Sequence, residues 1–147
     1  MDEFEHVLVP VDFCESSARA LDLAVDLAVR YGATLTLVHT CEIRVYGDSP
    51  AGAIPFDYLT PLQDAAGREL RETLAAIHAR CPDARGLLRS GVPADEILAT
   101  AAERGADLIV MGTHGRRGVR HMLLGSIAER VVRASPVPVL TVGDRAG

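Results

Sequence analysis

A glycine-rich segment in the last third of the chain has the residue types and spacing of a phosphate-binding loop. Gly112, Gly115 and Gly118 lie within seven residues of one another. Gly125-Ser126 then begins a segment with helical periodicity. Glycine permits positive φ and close approach of a ligand to the backbone, and the free N–H groups of a helix N-terminus bind anions. This segment therefore predicts an anion site suited to phosphates.

Positive charge near this loop comes from arginine alone. Arg116, Arg117 and Arg120 lie in the loop, and all 15 Lys+Arg residues of the chain are Arg. The absence of Lys excludes Schiff-base catalysis and the P-loop, whose Lys reaches the β- and γ-phosphates. A phosphate that is held by backbone N–H groups needs no Lys. Nucleotide binding through glycine backbone and arginine is therefore compatible with this composition.

Two further polar positions have both a functional and a structural interpretation. Asp12 follows the first apolar run, where a carboxylate could accept hydrogen bonds from ribose hydroxyls, or could instead cap the next helix together with Ser16. Ser126 and Glu129 have the S-x-x-E spacing of a capping box, which predicts a well-formed first helical turn. Glycine at a strand end and serine at a helix start can also be purely structural.

The histidines and cysteines show no metal-binding or catalytic pattern. The chain contains no H-x-x-x-H pair, no C-x-x-C pair and no G-x-S-x-G nucleophile elbow. We interpret His39 as a core residue, whereas His114 could contact a phosphate. Cys14 is either a reactive thiol beside the site or a buried bystander. No catalytic and no metal-ligating residue is assigned.

Composition predicts one globular, cytoplasmic domain spanning residues 1–147. Hydrophobic residues make up 48% and charged residues 24%, which excludes intrinsic disorder, and the net charge of -5 argues against nucleic-acid binding. The apolar runs are far shorter than the about 20 residues of a membrane span. An acidic N-terminus is unlike a secretory signal, and three unpaired Cys fit a reducing compartment.

Strand-like apolar runs alternate with segments of helical period along the chain. Because the strands are apolar on both sides, they predict an open, mostly parallel sheet with helices on both faces, whose ligand lies outside the carboxyl ends of the strands. Residues 41–60 form a long loop, either a lid or a tolerated insertion. The predicted strands are His6–Val11, Ala33–Thr40, Arg85–Ser90, Asp107–Gly112 and Val137–Val142. The predicted helices run from Ser16 or Ser17 to Gly32, over Pro61–Arg80, from Pro93 to Gly105, and over Ser126–Ala134.

The spacing Gly112-x2-Gly115-x9-Gly125-Ser126 resembles the G-x2-G-x9-G-[ST] motif of the ATP-binding branch of universal stress proteins. The resemblance covers essentially the whole chain in order. It implies an open five-stranded parallel sheet of order 3-2-1-4-5, of the adenine nucleotide alpha hydrolase-like class, with ATP across the first and fourth strands. The other segments that carry it are Val9-Pro10-Val11-Asp12, Val38-His39, Gly91-Val92-Pro93, Glu96-Ile97, Ala128–Val131 and Pro136–Leu140.

The resemblance also implies a set of ligand-binding residues. Asp12 would hold the ribose hydroxyls or lie near a metal on the phosphates, and the loop glycines would bind the phosphates. Thr40 is assigned by its position after His39, and Arg116 by its place in the loop. The full implied set is Pro10, Val11, Asp12, Thr40, Met111, Gly112, Gly115, Arg116, Gly125, Ser126 and Ile127.

The functional hypothesis is an ATP-binding universal stress protein, with Mg²⁺, that acts as a nucleotide-responsive regulator. No residue stands out as a general base, so we expect at most slow ATP hydrolysis. One alternative is a nucleotide-independent interaction module of the same family. Another is an ATP-hydrolysing or adenylyl-transferring enzyme, although the S-G-G-x-D-S type of loop is absent after the first strand.

The last predicted strand, Val137–Val142, lies at a sheet edge in the strand order that the resemblance implies. An open edge invites pairing with a second chain, and members of the family commonly dimerise through this strand. We therefore expect a homodimer. Alternatively, Pro136 and Pro138 protect the edge. No nucleic-acid or membrane partner is expected.

Overall fold

The computed structural model describes residues 3–42, 56–114 and 124–143, except the side chains of residues 56–62. Strands and helices alternate in this part of the chain, as the sequence predicts. The strands are β1 (His6–Pro10), β2 (Thr34–Glu42), β3 (Arg85–Gly91), β4 (Leu108–Gly112) and β5 (Val139–Val142). The helices are α1 (Glu15–Tyr31), α2 (Phe56–Ile77), α3 (Pro93–Arg104) and α4 (Ser126–Ala134).

The strands form one parallel sheet in the order β3-β2-β1-β4-β5, which confirms the predicted fold. The first two crossovers carry the chain from β1 outward to β3. The third crossover, through α3, returns it to the other side of β1, and the direction of winding reverses there. Ligands of such sheets bind in the crevice at this reversal. The carboxyl ends of β1 and β4 are therefore the place to look for a site.

Two hydrophobic clusters cover the two faces of the sheet. Val7 and Val9 of β1 pack with α1 and α2, whereas Leu8 packs with α3 and α4. Successive residues of a strand point to opposite faces, and all three of these side chains are fully buried. Burying each such side chain stabilises the fold by about 1.5–3 kcal/mol. The two clusters therefore hold β1, and the residues that follow it, in a fixed position.

Glycine ends α1 and α3, as the sequence predicts. Gly32 (φ 65) and Gly105 (φ 66) adopt the left-handed conformation, and their N–H groups donate to carbonyls of the last helical turn. Pro93 lies at the start of α3, where its missing N–H is not needed. These local signals place the helix ends correctly.

The predicted loop 41–60 is too long at both ends. Strand β2 continues through Glu42 because its last residues pair with β3. Helix α2 begins at Phe56 rather than at Pro61, so Pro61 lies inside the helix and not at its first position, where the sequence placed it. Inside a helix a proline costs one hydrogen bond, because it has no N–H to donate to the carbonyl four residues earlier. Residues 43–55, which carry the proposed lid, lie outside the described residues.

The end of α2 and the start of β5 differ from the prediction by three and two residues, whereas the end of β1, the start of β2, the end of β3 and the start of β4 each differ by one. Helix α2 ends at Ile77 rather than Arg80, because the chain tightens there and the Arg80 N–H donates to the Ile77 carbonyl at 3.1 Å. Strand β5 begins at Val139 rather than Val137. The Val137 N–H donates to the Ser135 hydroxyl at 3.1 Å, and this local turn competes with strand pairing.

Candidate functional site

The candidate site lies at the carboxyl ends of β1 and β4, where the winding of the sheet reverses. Pro10, the last residue of β1, pairs with Val38, and β2 continues to Glu42. Thr40 therefore lies beyond the end of β1, level with Asp12. This register brings Thr40 and the Asp12 carboxylate to the same end of the strands.

Asp12 is fixed by a turn between β1 and α1. Its N–H donates to the Ser17 hydroxyl at 3.1 Å, and its Oδ1 accepts the Cys14 N–H at 3.1 Å. The N-cap of α1 is Cys14, so the prediction that Ser16 or Ser17 caps this helix is wrong. Both serines lie inside the first turn and are buried, and their hydroxyls tie the helix to neighbouring segments instead.

Phe13 has a backbone conformation that its residue type disfavours. Its φ is 66°, and it is the only non-glycine residue with positive φ among the described residues. A left-handed conformation costs about 1–2 kcal/mol for a residue with a side chain. Its ring packs against the imidazole of His39, with ring centroids 4.7 Å apart and planes tilted by 33°. No motif in the sequence marks Phe13, and sequence reasoning missed it.

Ser16 joins α1 to the segment after β4. Its hydroxyl donates to the His114 carbonyl at 2.6 Å, and Ser16 is almost completely buried. Gly112 packs directly against it, since a Cβ on Gly112 would lie 2.5 Å from the Ser16 Oγ and 2.9 Å from its carbonyl carbon. Close packing on α1 is therefore a sufficient reason for glycine at this position.

Helix α4 begins with a glycine N-cap. The Gly125 N–H donates to the Thr113 carbonyl at 2.6 Å, and the Glu129 N–H donates to the Gly125 carbonyl at 2.9 Å. The predicted capping box is wrong, because Ser126 is the first helical residue rather than the N-cap. Within the described residues no side chain caps this turn, and the N–H groups at Ser126 and Ile127 lie at an exposed helix start.

The remaining assigned residues differ in accessibility. Val11 and Met111 are buried in the clusters on opposite faces of the sheet. Pro10 and Thr40 are half-buried, and Ile127 is 38% exposed. The described part of the site thus has an apolar floor formed by strand ends and a polar rim formed by Asp12 and the start of α4.

Cys14 lies beside Asp12, with its Sγ 3.5 Å from both the Ser16 Oγ and the His114 carbonyl oxygen. Burial raises the pKa of the Cys14 thiol, and its hydrogen bond to the Asp12 carboxylate raises it further. The thiolate is the reactive form of cysteine. Both effects disfavour the thiolate of Cys14, which is half-buried rather than buried.

Part of the segment predicted to bind phosphates lies outside the described residues, namely Gly115 and Arg116, together with Arg117, Gly118 and Arg120. Within the described ranges no group of three or more His, Cys, Asp or Glu could hold a metal ion. None of the helices there is both long enough and apolar enough to cross a membrane.

Comparison with known proteins identifies the family. The model of the universal stress protein family matches residues 3–143. The chain belongs to the universal stress protein family. A curated member, the universal stress protein YxiE of Bacillus subtilis (strain 168), is 33% identical in an alignment of 146 residues that covers 95% of this chain and 99% of that protein.

Solved structures of family members share the fold. The universal stress protein UspA from Lactobacillus plantarum has a TM-score of 0.84 and 26% identity, covering 97% of this chain and 99% of its own. A universal stress protein solved in complex with cAMP has a TM-score of 0.73 and 27% identity, covering 97% and 98% of the two chains. The family and the strand order inferred from the motif are thereby confirmed.

Proposed function

We propose that this protein is an ATP-binding universal stress protein, with the nucleotide lying across the carboxyl ends of β1 and β4. The observation that carries the proposal is the glycine N-cap of α4. Ser, Thr, Asp or Asn at an N-cap supplies a side-chain oxygen to the N–H groups of the first turn. Gly125 supplies none, so these N–H groups and the positive end of the helix dipole are left for an anionic ligand.

The two halves of the site are joined by a short chain of hydrogen bonds. The Asp12 turn leads into α1, where the Ser16 hydroxyl holds the His114 carbonyl. The preceding carbonyl, that of Thr113, accepts the Gly125 N–H. These bonds fix the first-strand carboxylate relative to the start of α4. A rigid spacing of this kind is what a ligand with both ribose and phosphate groups requires.

The residues present fit an adenine nucleotide. Asp12 would accept hydrogen bonds from the ribose hydroxyls or lie near Mg²⁺ on the phosphates, and Ser126 and Ile127 would bind phosphates through their N–H groups. Gly125, whose own N–H is bound to the Thr113 carbonyl, would let the phosphates approach the backbone closely. Pro10 and Val11 would line the nucleoside, Thr40 and Met111 would lie close to the adenine, and Gly112 would lie beside the phosphates. Gly115 and Arg116 are assigned from the motif alone. The relative solved with cAMP supports an adenine ligand of this class.

In this proposal the protein is a cytoplasmic, nucleotide-responsive stress regulator whose domain spans residues 1–147. Because no residue of the sequence stands out as a general base, this proposal expects any hydrolysis to be slow. Bound ATP would act by stabilising one conformation of the carboxyl edge rather than by turning over quickly. A multiple-turnover phosphate-release assay with purified protein tests this, and rapid turnover would overturn the regulatory assignment.

Two experiments test nucleotide binding. Purified protein is denatured and its supernatant is analysed by anion exchange, and the refolded or nucleotide-free protein is titrated calorimetrically with ATP, AMP and cAMP, with and without Mg²⁺. We expect an adenine nucleotide in the supernatant and saturable binding of ATP. Neither a recovered nucleotide nor detectable binding of any of the three would overturn the proposal.

Gly125→Asp with Gly125→Ala as its control tests the site. An Asp N-cap supplies its own oxygen to the first turn of α4 and repels phosphate, so we expect ATP affinity to fall by about tenfold or more. Both variants place a Cβ 3.0 Å from the Thr113 carbonyl oxygen, so they share the same steric strain. Equal ATP affinities of the two variants in calorimetry would show that the phosphates bind elsewhere.

The protein is further proposed to form a homodimer through its C-terminal strand. Strand β5 lies at an edge of the sheet, and Leu140 on it and Val132 on α4 are exposed apolar side chains. Replacing Leu140 with Arg should shift sedimentation from dimer to monomer, since a charge in a strand-pairing interface is unfavourable. A wild-type protein that sediments as a monomer at high concentration would contradict this part of the proposal.

A further inference from the structure

Phe13 adopts its disfavoured conformation at a position next to the proposed ribose-binding carboxylate. The peptide between Phe13 and Cys14 presents the N–H that the Asp12 Oδ1 accepts at 3.1 Å. The φ and ψ angles of Phe13 orient that peptide. The direction of the Asp12 carboxylate therefore depends on Phe13 staying in the left-handed region.

His39 of β2 contacts the residue before Asp12 and the residue after it. On one side, its Nδ1 lies 2.7 Å from the Val11 carbonyl oxygen, and because a carbonyl only accepts, Nδ1 carries the hydrogen. On the other side, its ring packs against that of Phe13. One side chain thus holds the residue before Asp12 by a hydrogen bond and the residue after it by ring contact.

The backbone of the same segment is also attached to β2. The Val11 N–H donates to the Val38 carbonyl at 2.9 Å, so β2 binds both the N–H and the C=O of Val11. Without these contacts the chain after β1 would be free to move Phe13 into a conformation that a side chain prefers. The contacts from β2 therefore compensate for the disfavoured geometry at Phe13.

We propose that His39 and Phe13 are positioning residues that act through Asp12 and set the preference of the site for ligands with free ribose hydroxyls. This inference rests on the proposed nucleotide site. Neither ring needs to touch the ligand. Together they hold the Asp12 carboxylate in the one orientation from which it accepts both hydroxyl groups, and hydrogen bonds weaken steeply when that orientation is lost.

The test compares the affinities for ATP, 2′-deoxy-ATP and 3′-deoxy-ATP by calorimetry. Asp12→Asn gives the ratio of ATP to deoxy-ATP affinity that is expected when the carboxylate is absent. Phe13→Ala keeps a side chain at positive φ and removes the ring. We expect it to lower the ratio of ATP to deoxy-ATP affinity by about threefold or more, toward the Asp12→Asn value, with the deoxy-ATP affinities nearly unchanged.

Variants of His39 separate its two contacts. His39→Phe keeps an aromatic ring and loses the Nδ1–H donor, whereas His39→Asn keeps an N–H donor and loses the ring. Each His39 variant should lower the ratio of ATP to deoxy-ATP affinity. Phe13→Tyr, which preserves the ring contact, should retain the wild-type ratio. These variants also keep the test decisive if Phe13→Ala does not fold.

Phe4→Ala is the matched control for loss of a ring. Phe4 packs against the same hydrophobic cluster as Phe13 and contacts Tyr31 edge to face, with centroids 5.5 Å apart, but it precedes β1 at the opposite edge of the sheet. It should lower Tm without changing the ratio of ATP to deoxy-ATP affinity. A purely structural role of Phe13 would give the same result for Phe13→Ala.

The outcomes distinguish the two proposals. If wild-type protein binds ATP and Asp12→Asn lowers the ratio, but the folded Phe13 and His39 variants do not, the positioning role is wrong and the nucleotide site stands. If Asp12→Asn leaves the ratio unchanged, Asp12 does not bind the ribose and the positioning role fails with it. If wild-type protein binds no nucleotide, both proposals are wrong.

Discussion

The amino ends and the carboxyl ends of the strands, which we call the amino edge and the carboxyl edge of the sheet, differ in how their polar groups are bonded. At the amino edge the Asp107 carboxylate accepts the N–H groups of Glu5 and His6 at 2.8 and 3.1 Å, and the His6 ring bonds the Thr36 hydroxyl at 2.7 Å. At the carboxyl edge the N-caps of α1 and α4 are Cys14 and Gly125, and neither makes a side-chain cap. The amino edge is held by bonds between its own polar groups, whereas at the carboxyl edge two helices begin without a side-chain oxygen from their N-cap residue.

Backbone strain follows the same division. Gly32 and Gly105 provide the left-handed conformations of the amino edge, where glycine adopts them at little cost. At the carboxyl edge, among the described residues, positive φ occurs at Gly91 (φ 146) and at Phe13 (φ 66), and of these two only Phe13 carries a side chain. Strain in a folded chain persists only where its surroundings enforce it, and it concentrates at functional sites. The carboxyl edge therefore contains a side chain held in a conformation that costs about 1–2 kcal/mol, whereas glycine adopts the same conformation at the amino edge at little cost.

The largest effect on ATP affinity is expected for Asp12→Asn, and Asp107→Ala is its comparison at the amino edge. Asp12→Asn keeps an Oδ1 that accepts the Cys14 N–H, so the turn should persist, but it loses the charge. Charge-assisted hydrogen bonds are worth about 1.5–3 kcal/mol, which predicts a fall in ATP affinity of about 10- to 100-fold. Asp107→Ala should lower the free energy of unfolding by about 1–3 kcal/mol and leave ATP affinity unchanged.

Calorimetry and urea denaturation of both variants check this pair. The contrast between the edges would be broken if Asp107→Ala weakened ATP binding as much as Asp12→Asn did.

A second, smaller effect, on the free energy of unfolding, is expected at Gly112, where the folded protein leaves no room for a side chain. Gly112→Ala would place its Cβ against Ser16, including backbone atoms that cannot move aside, and should lower the free energy of unfolding by about 1–3 kcal/mol. Gly67→Ala is the control, because its nearest contact is the flexible end of Arg71 at 3.4 Å. Within α2 it should stabilise the protein by up to about 1 kcal/mol. Similar urea midpoints for the two variants would contradict the close packing of β4 on α1.

The smallest effect concerns a glycine that has space but a demanding φ. A Cβ on Gly32 would meet no atom within 4 Å, yet its φ is 65°. Gly32→Ala should therefore cost about 1 kcal/mol of stability, and Gly32→Asn less, since Asn tolerates this conformation. Neither should change ATP affinity. Thermal denaturation that ranks Asn below Ala would show that φ is not what selects glycine here.

Local signals in the sequence were sufficient for most of the fold. The apolar runs, the helical periods and the glycines at 32 and 105 each act over a few residues, and the strand order followed from the family resemblance and is confirmed. Boundaries failed where two local preferences compete. Pro61 suggested a helix start, and the Ser135 turn displaced the start of β5. The hydrophobic periodicity of the sequence does not show which of two competing local preferences prevails.

The alternation of strands and helices could be read from the amino-acid sequence alone, and the absence of Lys excludes this residue from any phosphate site in the chain. The tertiary structure alone decided that Ser16 holds the His114 carbonyl, 98 residues away, and that Gly125 rather than Ser126 caps α4. It also decided the left-handed Phe13 and its contact with His39. These features depend on which segments the fold brings together, because each is enforced by a partner distant in the chain and not by the residue's own preference.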